Sequence, residues 1–164
     1  MFIIVDANVL IDYVNADISI LTLVSKHLGP VCVASVIVDE VNQISDQDCE
    51  DAGLTVIEES VEILASAAEK RGSLSFEDHT CLLLAKHNEW VCLSNDKALH
   101  RACREEGIES MWGLRPMIEL VRNGSLGKEA AIETALVIQA GNPKHITPKI
   151  LEEFARKIEE VTAP

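Results

Sequence analysis

Three short apolar runs constrain this chain more than anything else: Phe2-Ile-Ile-Val5, Val31-Cys-Val-Ala34 and Trp90-Val-Cys-Leu93. Each is too short for a helix and too continuously apolar for a strand with one wet face. Each therefore reads as a strand buried on both sides of a parallel sheet. Leu54 to Ile57 reads as a further strand, short and near an edge, and Ile108 to Trp112 as a fifth. Between them, residues 9–14, 18–28, 36–44, 60–70, 76–87 and 97–106 have helical character. Ser35, Ser60 and Ser75 stand where helix caps are wanted, and Gly29-Pro30, Gly72 and Gly107 where helices stop. Strand and helix thus alternate over residues 1–112, which predicts an α/β fold with helices on both faces of a central parallel sheet.

From Arg115 onward the strand signals cease. Residues 115–123, 126–139 and 147–160 read as helices punctuated by Gly124, Gly127, Gly141-Asn-Pro143 and Pro148. The organisation expected is one domain over residues 1–125 and a C-terminal helical extension, 126–164, packed on that domain or on a partner. A length of 164 residues suits a single core. No apolar run approaches the roughly 18 to 20 residues of a membrane-spanning helix, so no membrane partner is expected. Met1 to Val5 runs straight into Asp6 without a basic leader and reads as a first strand rather than a signal peptide. The five cysteines, Cys32, Cys49, Cys81, Cys92 and Cys103, contain no C-x-x-C pair. They read as reduced core residues, and a cytoplasmic setting is expected.

Four carboxylates fall where such a sheet gathers its ligands, at the carboxyl ends of strands and the starts of helices. Asp6 follows the first strand, Glu40 lies in the helix after the second, Asp78 is in a helix's first turn, and Asp96 follows the fourth strand. Grouped acids repel one another unless a cation neutralises them, and their hard oxygens suit Mg²⁺ or Mn²⁺ rather than zinc. Each acid also has a plain structural reading, since 27 Asp and Glu are available and Asp78 could simply complete the cap formed by Ser75. A net charge of −13 counts against a nonspecific nucleic-acid binder but not against a metal-dependent nuclease, because bound cations invert the sign of such a site.

The spacing of these acids carries a resemblance. Ile3-Ile-Val-Asp6-Ala-Asn8 before an apolar helix resembles the opening of PIN-domain proteins. Ser35-Val-Ile-Val-Asp-Glu40-Val resembles their second motif, with Asp39 as an adjacent alternative. Residues 74–108 resemble the third and fourth motifs: Leu-Ser-Phe-Glu-Asp78-His-Thr, then Val-Cys-Leu-Ser94-Asn-Asp96-Lys-Ala-Leu, a helix and Gly-Ile. Ser94 stands where the family usually has threonine and keeps the hydroxyl. The resemblance covers about residues 1–115 and is to prokaryotic PIN-domain ribonucleases, many of them VapC-like toxins.

That resemblance implies a three-layer α/β/α sandwich, Mg²⁺ or Mn²⁺, and hydrolysis of RNA by a metal-activated water. It also implies frequent homodimers and, for toxins, an antitoxin protein as partner. In that picture Asp6, Asp78 and Asp96 bind metal, Glu40 ligates metal or orients water, and Asn8 and Ser94 hydrogen-bond the acids. The alternative is a PIN-fold metal- or RNA-binding scaffold without appreciable turnover. A receiver domain would need its aspartate after the middle strand, and a haloacid-dehalogenase-like phosphatase an acid at Asn8; neither is present.

Other residues have plainer readings. His79 points about 100° away from Asp78 on a helix and reads as structural or surface rather than as a base. Lys97, His100, Arg101 and Arg104 could meet phosphates or form a solvated helix face. Trp90 and Trp112 read as core. Ile18, Leu21, Leu23, Val24 and Leu28 read as core packing, with a partner groove or dimer seam as the alternative.

Overall fold

The computed structural model of the chain describes residues 1–162. The strands β1 (Ile3–Val5), β2 (Val31–Ala34), β3 (Thr55–Ile57), β4 (Val91–Leu93) and β5 (Ser110–Met111) form one parallel sheet in the order β3-β2-β1-β4-β5. β1 is central, with Ile3, Ile4 and Val5 level with Val91, Cys92 and Leu93 of β4. Every residue of β1, β2 and β4 is buried, which is why those runs hold no polar side chain. The strand order reverses between β1 and β4, so their carboxyl ends flank the topological switch point where sheets of this kind open a crevice.

Between β1 and β2 run α1 (Ala7–Ala16) and α2 (Ser19–His27), and between β2 and β3 run α3 (Ser35–Glu40) and α4 (Asp46–Asp51). The return crossing to β4 carries α5 (Val61–Ala68) and α6 (Phe76–Asn88), and α7 (Lys97–Glu105) leads to β5. α5 and α7 pack on α6, which lies on β1 and β4, while α2 covers β2. The α/β architecture expected from the alternation is therefore present, all five strands being parallel.

Two elements differ from the expectation. The helix after β2 stops at Glu40 instead of continuing to residue 44, because the chain turns extended at Val41 and buries Val41 and Ile44. α4 was not foreseen: Asp46 to Asp51 has no apolar periodicity, but Ser45 and Asp48 form a reciprocal capping box and Cys49 anchors the turn in the core. Ile20, Leu21 and Val24 are buried, with Ile18, Leu23 and Leu28 packed against them, so this stretch is core.

The chain continues through α8 (Arg115–Arg122), α9 (Lys128–Gly141) and α10 (Pro148–Glu160). α9 lies on α1 and α8, and α10 on α9 and α8. Ala131, Ala135, Ile138, Ile146, Phe154 and Ile158 join the same apolar core as the sheet. The extension is thus packed on the domain; its last two positions, 163 and 164, lie outside the described residues. All five cysteines are buried and free. Among the described residues no single helix is long and apolar enough to cross a membrane; α1 and α2 would suffice only as a pair, and they are bent by 117°.

Candidate active site

Asp6 is the first residue beyond β1 and also the cap of α1. Its backbone N–H bonds the Leu93 carbonyl at 3.1 Å, and its Oδ1 accepts from the N–H of Val9 at 2.8 Å. Its Oδ2 accepts a short hydrogen bond from the Ser94 hydroxyl. Ser94 leaves β4 next door, and its Oγ also accepts from the N–H of Asp96 at 2.9 Å. One serine hydroxyl therefore ties the ends of the two strands that flank the switch point. Asp96 caps α7, accepting from the N–H of Leu99 at 2.8 Å. Asp78 lies in the first turn of α6, above the Ser75 cap.

Three helix amino termini thus carry acids, a placement that the positive end of the helix dipole favours. Capping accounts for part of each carboxylate and leaves the rest unexplained. Burial pushes the Asp6 carboxyl up to about 7, against the Ser94 and Val9 hydrogen bonds, and the charges of Asp78 and Asp96 push the same way. Asp78 is raised too, by burial first and by Asp96 next. Asp6, Asp78 and Asp96 therefore share one electrostatic environment. No ion pair between any of them and a Lys or Arg occurs among the described residues.

The fourth expected acid, Glu40, is exposed at the last residue of α3, as is Asp39 beside it, and is not among the charges that shift Asp6 or Asp78. Asn8, expected to support the acids, is exposed and makes no side-chain hydrogen bond to them among the described residues. It lines a cavity with Asp12 instead. The donor chemistry of the three aspartates suits a hard divalent cation. Their side chains nevertheless do not stand as a ready cage: no group of three or more His, Cys, Asp or Glu among the described residues is set closely enough to hold a metal ion.

Neighbouring residues correct other expectations. His100 is neither solvated nor free to meet phosphate: its ring nitrogens lie 2.8 Å from the Ser94 carbonyl and 2.7 Å from the Ser110 hydroxyl. Trp112 is not core. It follows the edge strand β5, is 49% exposed, and stacks on the His100 ring with centroids 3.6 Å apart. Trp90 packs against the core and stacks on Phe2. His79 is structural, its Nδ1 lying 3.2 Å from the Ala67 carbonyl and 3.0 Å from that of Glu69. Lys97, Arg101 and Arg104 are exposed.

Sequence reasoning missed a second polar cluster behind α1. Asp12 is buried, and both its oxygens lie 3.1 Å from the Asn142 amide nitrogen. Asn95, adjacent to Asp96, accepts from the N–H of Gly113 at 2.9 Å and directs its amide toward Asp12 at 3.5 Å. A Cβ at residue 113 would come within 2.6 Å of the Asn95 side chain, so glycine is what admits it there. The signal for Asp12 was its spacing, three residues after buried Val9 on an apolar helix; its partner is 130 positions away.

No protein-family model and no curated protein matches the chain. Among solved structures, it is similar to a PilT N-terminus (PIN) domain protein from the hyperthermophilic archaeon Sulfolobus solfataricus P2. The TM-score is 0.55 at 15% identity, over 73% of this chain and 92% of that one. The likeness is one of fold: both chains carry the PIN type of α/β architecture.

Proposed function

We propose that a chain with this fold hydrolyses RNA phosphodiesters at the carboxyl edge of its sheet, using Mg²⁺ or Mn²⁺ held by Asp6, Asp78 and Asp96. Asp6 carries the reading: a fully buried carboxyl at the switch point, pushed up to about 7 and facing two further acids. A buried charge without a counter-charge is costly, and evolution of a mere cap needs only one acceptor, not three gathered acids. When bound, the cations would supply positive charge to the phosphate and lower the pKa of a water.

The chain's own residues have separable tasks in this proposal. Ser94 holds the outer oxygen of Asp6 and the backbone of Asp96 in fixed relation, so two donors keep their places. Asp78 contributes from α6 across the crevice. Glu40, exposed at the end of α3, would orient water or substrate from the outside. Since the chain is strongly acidic, it has little means of gripping phosphates without added cations. RNA, rather than DNA, is what the resemblance of the four motifs implies.

A toxin role, with a homodimer and an antitoxin partner, belongs to the same proposal; the exposed Leu136 of α9 offers apolar surface for such contacts. A cytoplasmic setting is supported by the five buried free thiols. The test is cleavage of a mixed panel of labelled RNAs with Mg²⁺, Mn²⁺ or EDTA, comparing the wild type with Asp6→Asn and Asp96→Asn prepared identically. Cleavage that needs metal and vanishes in both variants is expected. Equal activity in all three, or none in any, would favour a PIN-fold metal- or RNA-binding scaffold without appreciable turnover.

A further inference from the structure

A cavity of about 250 Å³ lies between α1 and the carboxyl end of α9. Asn8, two residues after Asp6 in the first turn of α1, is part of its lining. Ile11, Val137 and Ile138 give it apolar walls, and Asn15, Asn142, Lys144 and His145 a polar margin. Asp12 is at its base, held by Asn142, and the His145 Nδ1 lies 3.0 Å from the Asn142 Oδ1. A polar chain therefore runs from the α9–α10 turn through Asn142 and Asp12 to Asn95, the residue beside Asp96.

This lining selects a chemistry. A carboxylate at the base repels a phosphate and leaves lone pairs for a donor, while side-chain amides offer both donors and acceptors. Apolar walls suit the face of a ring. The volume falls just below the roughly 300 to 1,000 Å³ of sites for drug-sized ligands, so a single ring-and-sugar unit fits and a duplex does not. Lys144 forms no ion pair among the described residues and stands at the margin, where the adjoining phosphate of an entering strand would pass.

Resting on RNA hydrolysis as the proposed function, we propose that this cavity is a nucleoside subsite contributed jointly by α1 and the C-terminal extension. It takes one ribonucleoside next to the scissile phosphodiester. Asp12, steadied by Asn142, accepts from the 2′-hydroxyl or a base N–H, and Asn8 and Asn15 bond the remaining polar edge. The 2′-hydroxyl is the group by which a protein separates RNA from DNA, so the subsite gives a preference for RNA. The extension is then part of the substrate site as well as of the core.

The experiment measures binding of a fluorescein-labelled single-stranded RNA pentamer and its DNA counterpart by anisotropy in the presence of Mg²⁺. It uses the full chain carrying Asp6→Asn, alone or with Val137→Trp or Lys144→Gln. Val137 is 53% exposed, so a tryptophan there fills the cavity without entering the core, and unchanged melting temperatures check the fold. Val137→Trp is expected to weaken RNA binding by about tenfold or more, roughly 1.4 kcal/mol, and to abolish the preference for RNA over DNA. Lys144→Gln is expected to cost less, on RNA and DNA alike. Unchanged RNA affinity and preference in Val137→Trp would overturn the subsite, as would the absence of any RNA binding. If the chain with Asp6 intact cuts no RNA yet Val137→Trp still weakens binding, hydrolysis fails and the subsite stands. If Val137→Trp cuts limiting RNA as well as the wild type does, the subsite fails and hydrolysis stands.

Discussion

At its amino end α7 is capped by Asp96, whose electrostatic neighbours Asp6 and Asp78 are also acids; at its carboxyl end Glu106 is held by Lys86 at 2.5 Å and Arg71 at 2.6 Å. The lysine and arginine hydrogen bonds pull the Glu106 carboxyl down to about 2, while burial and like charge push Asp6 up to about 7. The helix dipole alone would favour the reverse, since anions belong at amino termini and not at carboxyl termini. Company and burial decide the matter. An acid that meets its own cations is complete as folded and serves to join the α5–α6 connection, α6 and the end of α7. Acids that meet only one another form a site completed by something from solution.

The comparison breaks first on pH. In the folded chain Asp6 keeps its proton to about pH 7, whereas the unfolded chain releases it near 3.8. Between those values the folded state binds more protons, so without metal stability falls as pH rises from about 4 to about 7 and is level above. The Asp6 contribution is of the order of a few kcal/mol. Melting curves in EDTA at pH 5 and pH 8 should show that fall in the wild type and lose most of it in Asp6→Asn. Glu106 acts in the opposite sense: its stabilisation is present above about 4.5 and is lost as pH falls toward about 2.

Next in size is Ser94. Removing a group that orients metal-binding carboxylates typically costs about 10- to 100-fold, so Ser94→Ala should reduce metal-dependent cleavage by that much. Ser94→Thr, which keeps the hydroxyl, should restore most of it, and initial rates at saturating RNA are the readout. Glu40→Gln should lose less than about tenfold, because Glu40 is exposed at the end of α3 and is not among the charges that shift Asp6 or Asp78. A loss as large as that of Asp6→Asn would mean that α3 moves inward when RNA and metal bind. Glu106→Gln should be the mildest: a small fall in melting temperature that shrinks further in high salt, with cleavage unchanged.

Much of this was legible in the residues. Continuous apolar runs identified β1, β2 and β4, because a strand covered on both faces tolerates nothing else. Ser60 and Ser75 marked helix starts, because a cap must offer a side-chain oxygen to the first turn. What could not be read were partnerships between distant positions. The Asp12–Asn142 bond spans 130 positions, and no local pattern announces it. Trp112 read as core because only 4% of the residues are aromatic and no Phe or Tyr series stands with it, yet after an edge strand it is exposed and lies on His100. Glu40 lies on the helix its motif called for, but a sequence motif cannot state where that helix ends. α4 was hidden because its cap works with no apolar stripe behind it.

The most direct test of the account is a carboxyl ¹³C NMR titration of Asp6 in the metal-free chain and again with saturating Mg²⁺. The account predicts a metal-free midpoint near pH 7 that moves well into the acid range when Mg²⁺ is added, with Asp78→Asn lowering the metal-free midpoint by removing one like charge. A midpoint near the ordinary 3.8 in the metal-free chain, unmoved by Mg²⁺, would contradict it: Asp6 would then be a helix cap and no more.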